Sequence, residues 1–144
     1  MPVHIFRNLQ AYQTPTDQLI LQLTQHVLDN EGKEAGDINI ILTGNKEVLE
    51  LNSNYLNRDY YTDVIAFYYN QMNPIDGDIF ISLEKVYDNS LEYATRFTDE
   101  LIRVIVHGLL HLIGYMDQRD EDKQQMHQLE ERYLSFYQQH IHTS

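Results

Sequence analysis

The sequence has no cysteine, few basic residues and no long apolar run. Without cysteine there is neither a disulfide nor a thiolate metal ligand, and the absence fits a reducing compartment. Ten Lys and Arg stand against 22 Asp and Glu, a formal net charge of −12. Such a balance argues against non-specific adhesion to nucleic acid or to an anionic membrane, while leaving room for a small metal-centred phosphate site. No apolar stretch is long enough to cross a bilayer. The segment from Met1 to Arg7 lacks the apolar run of a secretory signal. The expectation is a soluble cytoplasmic protein with no membrane partner. At 144 residues one domain is the default, long enough to bury a core without covalent staples.

Along the chain, Val3 to Phe6 reads as a short edge strand. Thr14, Pro15 and Asp17 read as the start of a helix whose apolar stripe is Leu19, Ile20, Leu23 and Val27, with Gly32 as its stop. Ile38 to Leu42 is β-rich. Asn45 is a cap for a second helix carrying Val48, Leu51 and Tyr55, and the polar Asn52 and Asn54 put that helix at the surface. Arg58 to Tyr61 reads as a loop. Thr62 to Tyr69 and Asp78 to Ser82 flank a turn cluster, Asn73 to Gly77, and form an antiparallel pair. Leu83, Val86, Tyr87 and Leu91 recur at helical spacing. Thr98, Asp99 and Glu100 open a helix that is apolar nearly all round, which belongs in the middle of a domain. Asp120, Glu121 and Asp122 open the last helix, with Met126, Leu129, Tyr133 and Phe136 as its apolar face. The implied architecture is α/β, α+β-like: a small mixed sheet of about four strands packed against helices, the apolar helix central.

That central helix carries the chemistry, in the run His107-Gly-Leu-Leu-His111-Leu-Ile-Gly114-Tyr115-Met116-Asp117. Residues four apart share a helical face, so His107 and His111 can reach one ion. Gly114 is a helix stop, and the turn after it can return Asp117 to the same ion. Two imidazoles inside so apolar a helix also need partners, because an unsatisfied buried polar group costs about 1–3 kcal/mol. The pattern is a two-histidine, one-carboxylate site with an open coordination position.

The spacing His-x-x-x-His-x-x-Gly-x-x-Asp is that of the extended zincin signature with Asp in the last position. Those peptidases place Glu after the first His as general base. Gly108 stands there instead. Glu100 and Arg103 lie on the same helical face as His107, either as groups acting behind the ligands or as an i,i+3 ion pair supporting the helix start. Asp117, Asp120 and Asp122 do not complete a calcium loop, since no Gly follows where one is required. His127, His140 and His142 read as surface or tail residues.

These residues resemble the signature of the YbeY family of bacterial ribosome-associated metallo-endoribonucleases. Leu51-Asn52-Ser53-Asn54-Tyr55, Thr62-Asp63-Val64-Ile65-Ala66-Phe67 and Gly77-Asp78-Ile79 are similar to further family segments, in the family order. The resemblance implies one zinc ion held by His107, His111 and Asp117, although nickel, cobalt, iron or manganese also suit such ligands. It implies hydrolysis of single-stranded RNA, in 16S rRNA 3′-end maturation and ribosome quality control, with the ribosome or assembly factors as partners and no DNA. Arg58 is the candidate phosphate contact, and Asp63 or Glu100 would orient the attacking water. The chain departs from the family pattern in places. Asp117 stands where the family usually has a third His, Met116 where it has Asp, and Leu56 where it has Arg after the Tyr. Two other functions remain open: a ribosome-assembly or RNA-binding factor with a structural metal, and a metallopeptidase.

Overall fold

The computed structural model describes residues 3–56 and 62–141. Arg58, with the loop expected around it, lies outside them, as does His142. The elements run β1 (Val3–Arg7), α1 (Asp17–Asn30), β2 (Ala35–Thr43), α2 (Asn45–Leu56), β3 (Val64–Asn70), β4 (Ile75–Ser82), α3 (Leu83–Glu92), α4 (Phe97–Leu112) and α5 (Asp120–Phe136), then a π-helical turn, Tyr137–Ile141. The sheet order is β1-β2-β4-β3. β1 and β4 flank β2 in parallel, and β3 pairs with β4 antiparallel, so the sheet is mixed and β3 is an edge. The four-stranded α/β architecture is the one the sequence implies.

Burial explains why these segments pair. Ile38, Ile40 and Leu42 of β2 and Ile75, Ile79 and Ile81 of β4 are wholly buried. Each aliphatic chain taken fully out of water contributes roughly 1.5–3 kcal/mol. α4 lies over this layer and packs on β3, β4, α1, α3 and α5. Its Leu101, Ile102, Ile105, Val106, Leu109, Leu110 and Leu112 have no exposed surface. The helix that carries the histidines is therefore the core of the domain as well as its chemistry, as its all-round apolarity predicts.

Three local expectations are corrected. Helix α1 begins at Asp17 with Thr16 as its cap, not at Thr14 and Pro15. Arg7 donates to the Thr14 hydroxyl (3.1 Å) and to the Pro15 carbonyl (2.7 Å), which ties residues 14 and 15 to the end of β1. Helix α4 begins at Phe97, one residue before Thr98, with Arg96 as an N-cap that makes no side-chain cap bond. In α2, Asn52 is only 1% exposed while Tyr55, expected on the apolar stripe, is 72% exposed. Asn52 faces a pocket rather than bulk solvent, so its polarity does not mark the helix's outer face.

Gly108 has a packing explanation. A Cβ there would sit 2.7 Å from Ile79 Cγ2 and 3.2 Å from Val64 Cγ2. The glycine lets α4 settle directly onto β3 and β4, and no glutamate fits at that position. The expected outcome for Gly108→Ala is a net loss of up to about 2 kcal/mol in denaturant unfolding. Overpacking, typically about 1–3 kcal/mol, outweighs the roughly 1 kcal/mol gained in helix propensity. An unchanged or raised midpoint would contradict this account.

Candidate metal centre

The last turn of α4 ends in a tight reversal. Tyr115 N–H donates to the Leu110 carbonyl (3.0 Å) and Gly114 N–H to the His111 carbonyl (3.1 Å). Gly114 has φ +109°, a conformation open chiefly to glycine. The reversal turns the following residues back towards the helix face bearing the histidines. His107 Nε2 and His111 Nε2 lie 2.9 Å apart. Asp117 Oδ2 is 3.4 Å from each. Among the described residues, these three form the one group whose donor atoms converge closely enough to hold a metal ion. The three residues singled out from the sequence are thus brought together.

Hydrogen bonds behind the ligands decide what the facing atoms are. His111 Nδ1 is 3.0 Å from the Tyr115 carbonyl, which only accepts, so His111 carries its hydrogen on Nδ1. His107 Nδ1 is 2.6 Å from Glu130 Oε2, and the carboxylate again takes the Nδ1 hydrogen. In the neutral rings both Nε2 atoms then present lone pairs to each other and to a carboxylate oxygen. Three electron-pair donors meet with no hydrogen between them, an arrangement that a cation relieves. The donor set fits a divalent ion of the zinc type.

The titration of the pair follows the same logic. Burial alone would lower the His107 pKa, but the hydrogen bond and charge of Glu130, with Asp63 and Asp117, outweigh it and raise the value. His111 is lowered, first by burial and then by the charge on His107. The surrounding carboxylates thus favour positive charge on His107.

Glu130 escaped the sequence reading. It is 8% exposed on a face of α5 otherwise made of Met126, Leu129, Tyr133 and Leu134. The available signal was a carboxylate set in an apolar stripe. Glu31, at the end of α1, was also missed. It accepts from Tyr115 Oη at 2.5 Å and from Tyr133 Oη. This carboxylate joins α1, α5 and the turn that presents Asp117, and its hydrogen bond pushes the Tyr115 hydroxyl up to about 12.

A pocket of about 690 Å³ opens over the three donors. Asp63 lines it, and burial raises the Asp63 pKa over the opposing influence of His107. Glu100 does not line it. Glu100 is 4% exposed and contacts Arg103 Nη1 at 3.4 Å, while Arg103 also holds Glu131 at 2.6 Å. The i,i+3 ion pair is therefore present.

A family model described as endoribonuclease YbeY matches residues 6–138. The endoribonuclease YbeY of Chlorobaculum parvum is 37% identical over 134 residues, covering 93% of this chain and 94% of that protein. That of Karelsulcia muelleri is 43% identical over 110 residues, covering 76% and 78%. A solution structure from Thermotoga maritima superposes with a TM-score of 0.64 at 25% identity, covering 94% of this chain and 88% of that one.

Two outcomes are expected from this geometry. Burial raises the Glu100 pKa against the pull of Arg103. The neutral carboxyl is favoured in the fold, so its stabilising contribution is full below the ordinary value of 4.5 and is lost as pH rises through the raised one. The melting temperature of Glu100→Gln relative to wild type should therefore climb from pH 4 to pH 7; a fall over that range would sink the assignment. Separately, Tyr115→Phe and Tyr133→Phe each remove one donor to Glu31 and should each cost about 1–3 kcal/mol of stability. Only Tyr115→Phe should also weaken zinc affinity, measured by chelator competition well below melting, because only Tyr115 sits on the turn of Asp117. Equal zinc affinity in the two variants would refute that distinction.

Proposed function

The chain belongs to the endoribonuclease YbeY family, and we propose that it is a single-strand-specific, metal-dependent endoribonuclease acting in 16S rRNA 3′-end maturation and ribosome quality control. The observation that carries this reading is the convergence of His107 Nε2, His111 Nε2 and Asp117 Oδ2 at the floor of an open pocket. An RNA substrate comes with the family. Among the described residues no helix is long and apolar enough to cross a membrane. We propose a cytoplasmic enzyme that works on the ribosome or with assembly factors, its residues 1–144 forming one metallohydrolase domain.

In this reading His107, His111 and Asp117 hold one divalent ion, zinc in the first instance. Such an ion supplies an acidified water and offsets the charge that builds on a phosphate under attack. The protein supplies the rest. Glu130 and the Tyr115 carbonyl keep both imidazoles with their Nε2 lone pairs turned inward. Asp63 is the general base in this scheme. It lines the pocket, and its burial lifts its pKa towards the range in which a carboxylate takes up a proton usefully. Asn89 donates to Asp63 Oδ2 at 3.1 Å and steadies it. Glu100, away from the pocket, serves the helix through Arg103 in place of orienting water. Arg58 is the proposed phosphate contact. Gly108 speaks against a peptidase of the zincin type, since a β-carbon there would already press on Ile79 where a catalytic glutamate would need room.

Asp117 brings one negative charge more than a histidine would, which makes the bound water less acidic and attracts phosphate less. Cleavage of a single-stranded RNA by metal-loaded wild type, His111→Ala and Asp117→His is the test, paired with elemental analysis. Wild type should contain the metal and cut. His111→Ala should remain folded, lose the metal and lose cleavage by at least about two orders of magnitude. Asp117→His should cut faster than wild type. Retained cleavage in metal-free His111→Ala would overturn the mechanism, and equal or slower cleavage by Asp117→His would overturn the role given to charge. Global unfolding of His111→Ala would favour an assembly factor with a structural metal.

A further inference from the structure

The pocket wall is unusual for a site that takes a polyanion. Among the described residues it contains two carboxylates, Asp63 and Asp117, and no Lys or Arg. The chain as a whole carries a net charge of −12. The described wall itself therefore adds little phosphate attraction, the usual source of affinity for nucleic acid. The wall does contain Tyr68, 59% exposed, and Met116, 55% exposed.

The strand pleat shows why Tyr68 is left uncovered. Alternate residues of a strand share a face. Val64 and Ala66 pack into the core beneath α4. Tyr68 is next on that face, but α4 ends at Leu112 and the chain turns away at Gly114. The phenol ring is left at the pocket mouth, on the same strand as the residues under the histidines. Tyr69 is also exposed, but on the opposite face, where its hydroxyl donates to Asp78. An exposed aromatic and an exposed thioether lining one polar pocket offer apolar surface that the fold leaves uncovered.

We infer that Tyr68, which shares the pocket wall with Met116, is a stacking subsite for an unpaired nucleobase next to the scissile phosphate. The inference rests on the RNA reading above. A base on this platform adds affinity that the described wall does not supply through charge. Base–aromatic stacking is tolerant of sequence and alone changes binding by roughly fivefold to 150-fold. A base already paired and stacked in a duplex cannot lie on the ring, so the same contact favours single strands.

The test is binding of a fluorescent 2′-O-methyl single-stranded oligoribonucleotide to the zinc-loaded protein, followed by anisotropy. This readout does not require cleavage. Tyr68→Ala should weaken binding at least about fivefold with unchanged zinc content. Tyr68→Phe, which keeps the ring, should recover most of that loss. Tyr69→Ala, on the other face of the strand, should bind as wild type does. A duplex of the same sequence should compete poorly. The slope of log affinity against log salt should be shallower than about −1.4, the value for two phosphate contacts on a single strand. Wild-type binding by Tyr68→Ala, a steeper salt slope, or no binding of the probe by wild type would each overturn the subsite. Binding that depends on Tyr68 in a protein that fails to cut RNA would uphold the subsite and count against the nuclease reading alone.

Discussion

The contact between Glu130 and His107 governs more of this structure than its single hydrogen bond suggests. A carboxylate that is 8% exposed carries a large desolvation cost unless something donates to it. His107 Nδ1 is that donor, at 2.6 Å. The bond docks α5 against α4 and settles which nitrogen of His107 faces the pocket. It also raises the basicity of that nitrogen. Tertiary packing and the chemistry of the ligand atom are therefore set by one contact, and neither can be altered without the other.

The second histidine is handled differently. His111 answers to a backbone carbonyl two residues before Asp117, within a reversal that its own helix end creates. One ligand is thus oriented across the domain by a buried charge and the other locally by the turn. The third ligand follows from that turn, and the turn is tied to the body of the protein through Tyr115 and Glu31. The site is a local motif held at two points by distant carboxylates.

This division explains what could be read from the sequence. The ligand set was legible because it obeys rules of short range: helical period for His107 and His111, a glycine stop, and a short reach back to Asp117. The central place of α4 was legible because its apolarity goes nearly all the way round. Glu130 and Glu31 were not legible as parts of the site, because each earns its role from a partner 23 or 84 residues away in the chain. The start of α1 was misplaced for a related reason. Thr14 is an acceptable cap by local rules, but its hydroxyl accepts from Arg7 of β1 while Thr16 accepts from Leu19 N–H and caps the helix. Helix α2 does lie at the surface, but Asn52 on it is buried because the polar surroundings it meets are those of the pocket.

The bridge made by Glu31 has a consequence for the order in which the protein is made. Its two tyrosine partners follow it by 84 and 102 residues. During synthesis the carboxylate therefore leaves the ribosome long before either hydroxyl. Both histidines are translated before Glu130, so for an interval the nascent chain holds the HxxxH pair without the frame that turns the lone pairs inward. A chain released early, before Glu130 and Tyr133, would contain all three converging residues and still lack the carboxylate that orients His107. Assembly by distant carboxylates thus ties the chemistry to the arrival of α5.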